Sequence, residues 1–583
     1  SSQGLASTYE IQNDSLLVKL DTSTLLLDVY DKNTGVRYSQ QPMADEMSLV
    51  SVDATANSIT LNLYFARDNV YLKGVYTLGS IPSRLDFTLS GSGDIDDIIR
   101  FPSAFSSAEA DRLILPFGTG VSYSVHDGKH VSGLADNFKM PFYALTTNTA
   151  AIVTIIDTPD DSVMVQDTVD GTLSGATAWR PQMGVVGDVR RQHYVFLNTP
   201  SITGIAKTYR KEAEKNGYVK PLIEKKRTIP AIEKLIGAAY IHAGASNENP
   251  NEAYLPKLKA LGITKYAWRN GDTTHLLDQL RQDNQLYGGH DCLMDIIAPA
   301  YRNKFEDTQY PASAWPSVLK LDSNGDTTGG STYINDELGF VDDYAARTCE
   351  TQYLKYGSMI AEKYRASLHG EMYFTDGHGA SGLEECYNPL HMANRTRIPN
   401  STVEYVSHLS GELGLVTGCE GGREYLVPHI AFSDGMMSGW MNSLMDDVCY
   451  LDVPDEVYRE YDETTRIPLW ELVFHDCVVD YPHKHDTSNR YPTLWDKRDL
   501  FSMLYGTPPA YSIDSSSMSK YGASYSKSFK RVSPVANAVG YAEMVDFEYL
   551  SEDRRVQATR FSNGVEVIAN FGSRAHIMPD GTV

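Results

Sequence analysis

No run of eighteen or more apolar residues occurs in this 583-residue chain, so no segment is long enough to cross a bilayer as a helix. Basic charge is short as well: 51 Lys and Arg stand against 75 Asp and Glu, for a formal net charge of −24 at pH 7. A surface of that sign repels phosphate, which sets aside nucleic acid and anionic membrane surfaces as partners. Cysteine is scarce, and the six present (Cys292, Cys349, Cys386, Cys419, Cys449 and Cys477) lie in the central region without the paired spacing of a zinc motif. They read as buried free thiols rather than a disulfide framework. The chain also lacks a phosphate-binding glycine loop, a Gly-x-Ser-x-Gly elbow and a zinc-protease helix, which removes three common catalytic plans. Ser1-Ser2-Gln3-Gly4 carries neither a basic nor an apolar leader region. The expectation is a secreted or cell-surface protein after signal removal, with the cytoplasm as the alternative.

What is abundant is aromatic: 37 tyrosines and six tryptophans supply rings that stack on sugar faces while their polar tips bond hydroxyls. Residues 1–225 alternate in short runs such as Leu16–Leu20, Leu25–Tyr30, Ile59–Phe65 and Ala151–Ile156, separated by turn chemistry like Asp31-Lys32-Asn33-Thr34-Gly35. That pattern predicts an N-terminal β-sandwich, with a charged helix over Ile205–Lys215 leading out of it.

From 226 to 515 short strands alternate with helices. Strands are predicted at Leu235–His242, Lys265–Arg269, Gln285–Met294, Gly370–Asp376, Leu413–Glu420, Leu469–Asp476 and Leu500–Tyr511, and a helix over Asp342–Ser367. Alternation on this scale implies a parallel sheet closed as a central (β/α)8 barrel. Residues 516–583 open on a polar helical segment and return to strands. Arg555–Phe561 and Val565–Phe571 flank Ser562-Asn563-Gly564, the strongest hairpin signal in the chain and the mark of a small C-terminal β module.

Two acidic residues close strands of the predicted barrel. Asp376 ends Tyr373-Phe374-Thr375-Asp376-Gly377, and Glu420 ends Gly418-Cys419-Glu420-Gly421-Gly422. In such a barrel the C-terminal strand ends form the active site. The spacing of the two residues is one strand-helix-strand step, which puts them on adjacent strands. Two neighbouring carboxyl groups at one mouth are the equipment for glycoside hydrolysis with retention, where their separation is roughly 5 Å. The shorter Asp376 suits an ionised nucleophile, and Glu420 suits the proton donor.

These two motifs, their spacing and the domain order resemble the retaining α-N-acetylgalactosaminidases of glycoside hydrolase families 101 and 129. Asp553-Arg554-Arg555-Val556-Gln557 and the hairpin Phe561-Ser562-Asn563-Gly564 are similar to the tail of such enzymes. The resemblance implies release of GalNAc, or of a disaccharide bearing it, from Ser or Thr of mucin-type glycoproteins. It assigns Asp376 as nucleophile and Glu420 as acid/base. The chemistry requires no cofactor, while the family likeness leaves room for a structural calcium ion.

Further candidates for substrate contact are His242, Asp272, the pair His290 and Asp291, and the pair His475 and Asp476, all at predicted strand ends. Each is weighed against satisfying buried backbone groups. Trp268 and Trp470 are candidates for a sugar platform, with core packing as the alternative. No metal ligands are assigned. Asp322-Ser323-Asn324-Gly325-Asp326 has alternating oxygen ligands but reads as a turn, because the glycine and glutamate of an EF-hand loop are missing. His483-Lys484-His485-Asp486 reads as a solvated loop. Two rival functions stand beside the main one: an α-galactosidase-like hydrolase with Asp476 as acid/base, and a carbohydrate-binding protein without catalysis.

Overall fold

Alternation of buried and exposed positions organises the first part of the chain, as in Ser58–Phe65, where every second side chain is buried. The computed structural model describes residues 7–128, 133–135, 138–243, 254–269, 276–303, 309–329, 333–335, 339–341, 344–438, 461–484 and 486–583. The chain divides into two compact units, Ser1–Tyr209 and Arg210–Val583. In the first unit a five-stranded antiparallel sheet faces a nine-stranded one, with a three-stranded sheet beside them. Leu16, Val18 and Leu20 from one sheet and Leu61, Leu63 and Phe87 from the other share a single buried cluster, which makes the pair a sandwich.

The second unit is built on eight parallel strands: β1 (Ala239–Ala243), β2 (Tyr266–Arg269), β3 (Leu286–Asp291), β4 (Met372–Gly379), β5 (Val416–Gly421), β6 (Phe432–Asp434), β7 (Val479–Tyr481) and β8 (Ala510–Ile513). They pair in the order β7-β6-β5-β4-β3-β2-β1-β8, a barrel whose seam falls between β7 and β8. Inward positions meet in one apolar cluster that includes Tyr240, Ala267, Leu286, Met372, Phe374, Val416, Phe432, Val479, Tyr481 and Ala510. Tyr240 stacks on Tyr481 at 4.9 Å and meets Phe432 at 5.8 Å, while Phe374 stacks on Phe432 at 6.5 Å. These four rings form a floor across the barrel. Lys225, also buried, donates from Nζ to the carbonyls of Val427, Ile430 and Cys477, the last two at 2.7 Å. It thereby satisfies carbonyls on the segments that lead into β6 and β7.

The expected strand at Leu469–Asp476 is instead a helix, Leu469–Phe474, buried on every side. A short apolar run looks the same in a buried helix and a buried strand, so periodicity could not separate them. Its place in the barrel is taken by β6 and β7, three residues each, too short to stand out as apolar runs. The helix expected from Asp342 begins at Tyr353, after a short strand Ala345–Arg347. Asp322–Asp326 is a turn, as expected, with Asp322 Oδ1 accepting from the Asn324 and Asp326 amides at 2.9 and 3.0 Å.

A long helix, Ser515–Val539, follows the barrel, and the chain closes on an antiparallel sheet of Met544–Tyr549, Val556–Phe561 and Glu566–Asn570. The hairpin at Asn563-Gly564 is present, with Gly564 at φ +87°. This sheet lies in the same compact unit as the barrel.

Candidate active site

Parallel register fixes which strand-end side chains share the barrel interior. Tyr240, Phe374, Gly418 and Phe432 point inward, so the next inward positions are His242, Asp376, Glu420 and Asp434. The same alternation turns Arg269 on β2 and His290 on β3 inward. Three of these strands end in one device, a carboxylate followed by glycine in the left-handed region: Asp376-Gly377 (φ +85°), Glu420-Gly421 (φ +71°) and Asp434-Gly435 (φ +116°). A side chain at Gly377 would also collide with Met294, 1.6 Å from its Cβ position.

Asp376 and Glu420 stand on adjacent strands, close enough for each to shift the titration of the other. Lys484 Nζ lies 3.2 Å from both oxygens of Asp376 and 3.6 Å from Glu420 Oε2. His483 Nε2 is 3.8 Å from Glu420 Oε1. Burial alone would raise the Asp376 carboxyl, but neighbouring Glu420 and the charges of Lys484 and Arg269 overcome it and hold Asp376 well below the usual carboxylate range. Glu420 is raised, first by burial and then by neighbouring Asp376. The two carboxyls are thus pushed apart, Asp376 toward the ionised form and Glu420 toward the protonated one. Two interacting acids of this kind titrate as a pair.

Supporting groups hold this arrangement. Asp434, fully buried, accepts from Tyr240 Oη at 3.2 Å and from the Lys484 amide at 2.9 Å, and Arg269 Nε is 3.9 Å away. Arg269 lies over the Phe374 ring at 4.2 Å. His290 is pushed down to about 4 by burial and by the Arg269 charge, so it is a neutral imidazole at the mouth near pH 7.

Of the sequence candidates, the structure brings together Asp376, Glu420, His290 and His242 as the last inward positions of their strands. Asp272 lies outside the described residues. Asp291 turns outward from β3, accepts from Tyr405 Oη and is raised to about 7, mainly by burial. Trp268 packs outside β2 with Leu255, Leu258 and Leu280, and Trp470 packs on Phe474 at 4.7 Å, so both are core and not platforms. His475 places its ring nitrogens 2.7 Å from the Ala542 carbonyl and 2.9 Å from that of Gly506. Asp476 is clasped by Arg210 through two bonds of 2.8 and 2.9 Å. Because it precedes β7, it sits at the barrel end opposite the mouth, out of reach of a proton-donor role.

The largest correction concerns His483-Lys484-His485-Asp486. It is no solvated loop: His483 and Asp486 are buried and Lys484 is locked onto Asp376, while His485 lies outside the described residues. Arg269 and Asp434 were missed as well. Period two along β2 would have found Arg269, since an outward Trp268 implies an inward neighbour. The carboxylate-glycine break at Asp434-Gly435, which repeats that of Asp376-Gly377, would have found Asp434.

A family model described as glycosyl hydrolases related to the GH101 family, GH129, matches residues 257–449 and 453–560, more than half of the chain. No curated protein sequence matches. Among solved structures, the α-N-acetylgalactosaminidase NagBb of Bifidobacterium bifidum in its GalNAc complex superposes with a TM-score of 0.75 at 17% identity, covering 97% of this chain and 98% of its own. Its ligand-free form gives 0.74 at 16%, with the same coverage. At such identity the likeness establishes a shared fold.

Proposed function

The chain belongs to glycoside hydrolase family 129 and is therefore a glycoside hydrolase, and on that premise we propose that it is a retaining α-N-acetylgalactosaminidase that releases GalNAc, or a disaccharide containing it, from O-glycans. The observation that carries the reading is the pair Asp376 and Glu420 on adjacent strands, with Lys484 Nζ 3.2 Å from the first and 3.6 Å from the second, one carboxyl lowered and the other raised. The protein of similar fold solved with GalNAc bound supports the choice of sugar.

In the proposed first step an Asp376 oxygen attacks the anomeric carbon, the bond to the aglycone oxygen breaks, and Glu420 gives that oxygen its proton. A β-glycosyl enzyme results. Glu420, now a carboxylate, takes a proton from water, whose oxygen attacks the same carbon and releases Asp376 and an α-sugar. Two inversions give net retention. This double displacement works with the two carboxyl groups about 5 Å apart, Asp376 facing the anomeric carbon and Glu420 the glycosidic oxygen. Lys484 keeps Asp376 anionic while this happens. Arg269 Nε, buried and without a hydrogen bond among the described residues, is placed to take a sugar hydroxyl.

The test is chromophore release from aryl α- and β-glycosides, including α-GalNAc, α-galactosamine, α-Gal and α-linked Gal-GalNAc, with NMR of the first-formed anomer. Turnover of α-GalNAc-type donors with the α-anomer appearing first is expected. Turnover of α-Gal alone, or a β-anomer first, would overturn the proposal.

A further inference from the structure

Cys349, Cys386 and His391 come from two loops on the same side of the barrel and meet in a buried cluster. Cys349 precedes the helix Tyr353–Leu368, and the other two lie in the loop that follows β4, the strand carrying Asp376. Both sulfurs are fully buried and His391 is 6% exposed. The two Sγ atoms and one imidazole nitrogen lie within 4.8 Å of one another. His391 Nε2 is 2.7 Å from the Ser317 carbonyl, so Nε2 carries the ring proton and Nδ1 presents its lone pair to Cys386 Sγ at 3.6 Å. A histidine fixed through its far nitrogen by a backbone carbonyl is the usual state of a metal-ligating imidazole.

The distances match one class of ion. Tetrahedral zinc with bonds of about 2.3 Å to sulfur and about 2.05 Å to nitrogen holds those two ligands about 3.6 Å apart. The frame is already built: the loop closes on itself through Cys386 and Ala393, which exchange two backbone bonds of 2.9 Å, and it is tied to the Cys349 side by Asn388 Nδ2 on the Leu319 carbonyl at 2.9 Å. Thr351 Oγ1 donates to Cys349 Sγ at 3.1 Å, as a hydroxyl does beside a ligating sulfur.

We propose that Cys349, Cys386 and His391 bind a thiophilic divalent cation, with zinc the best fit, and that the ion clamps the loop after the catalytic strand to the segment entering the helix Tyr353–Leu368. Binding releases the thiol protons to solvent and transfers no electrons. Three protein ligands leave the fourth position to a water. A disulfide between the two cysteines would leave the oriented His391 without a role.

Reduced, tag-free full-length protein is loaded with zinc and dialysed, and bound metal is counted and examined by X-ray absorption. About one zinc per chain with a shell of two sulfurs and light N/O atoms is expected, and the ultraviolet thiolate charge-transfer band is expected with cadmium. Uptake by Cys386→Ser or His391→Ala should weaken at least about 100-fold. No retained zinc, a sulfur-free shell, or uptake unchanged in both variants would overturn the site. Isolation of a Cys349–Cys386 disulfide that zinc does not prevent from forming would also overturn it. The absorption measurement uses the native chain, so a variant that fails to fold leaves the proposal decidable.

Discussion

Two carboxyl pairs are built into strands or neighbours of the same barrel, and they behave oppositely. At the mouth, Asp376 and Glu420 split, one lowered and one raised. In the wall, Asp480 turns outward from β7 toward Glu471 on the helix Leu469–Phe474. There burial raises both: Glu471 well above the glutamate range, and Asp480 to about 7. Ser433 and Trp470 donate to Asp480 at 3.0 and 3.2 Å, yet neither carries charge. The difference is cationic. Lys484 touches both members of the mouth pair and Arg269 adds to it, whereas among the described residues the cation named beside the wall pair is Arg466, whose charge acts on Glu471 and does not overcome burial. Burial raises a carboxyl in either place, but lowering its neighbour also requires a cation beside it.

Four substitutions test that contrast. The largest effect is expected from Asp376→Asn, which leaves a pair with no nucleophile. Turnover of an aryl α-glycoside should fall about 10⁴-fold or more with the Tm little changed, and substantial residual turnover would break the assignment. Glu420→Gln should cost about 10²–10⁴-fold on substrates with poor leaving groups and much less on activated aryl glycosides, since these depart without a proton. The alkaline limb of the pH–rate profile should go with it. Lys484→Met tests the cation directly. Its loss lets the Asp376 pKa rise, so the acidic limb should move to higher pH, with a roughly tenfold drop in kcat/KM. An unmoved acidic limb would show that Arg269 alone holds the charge.

The smallest expected effect is on stability. Glu471 and Asp480 both titrate higher in the folded than in the unfolded chain, so between roughly pH 4 and their raised values the folded chain holds more protons and stability falls as pH rises. Glu471→Gln should flatten that slope between pH 5 and 8, read as Tm against pH, with the rate profile unmoved.

Residues whose role is set by local sequence were legible, and residues whose role is set by register were not. Asp376 and Glu420 each close a long apolar run and precede a glycine, so strand, end and carboxylate could be read together. The N-terminal sheets and the Asn563-Gly564 hairpin were legible for the same reason. β6 and β7 escaped because three residues carry no period. Lys484 escaped because its importance depends on a strand 108 positions earlier in the chain. The Cys349, Cys386 and His391 cluster shows no motif because its ligands come from two loops. Trp470, His475 and Asp476 were placed at a strand end through one misread helix, Leu469–Phe474, which leads into β7 and is no strand of the barrel.

The floor of Tyr240, Phe374, Phe432 and Tyr481 separates two kinds of inheritance. Below it, a substitution is felt by the packed interior and is paid in folding. Above it, the inward side chains come from separate strand ends, with Asp434 and Arg269 seated on two of the rings, so that the shape of the mouth is set by positions far apart in the chain. A change at one strand end is therefore felt at its neighbours through Lys484, while the packed rings beneath keep the scaffold whole.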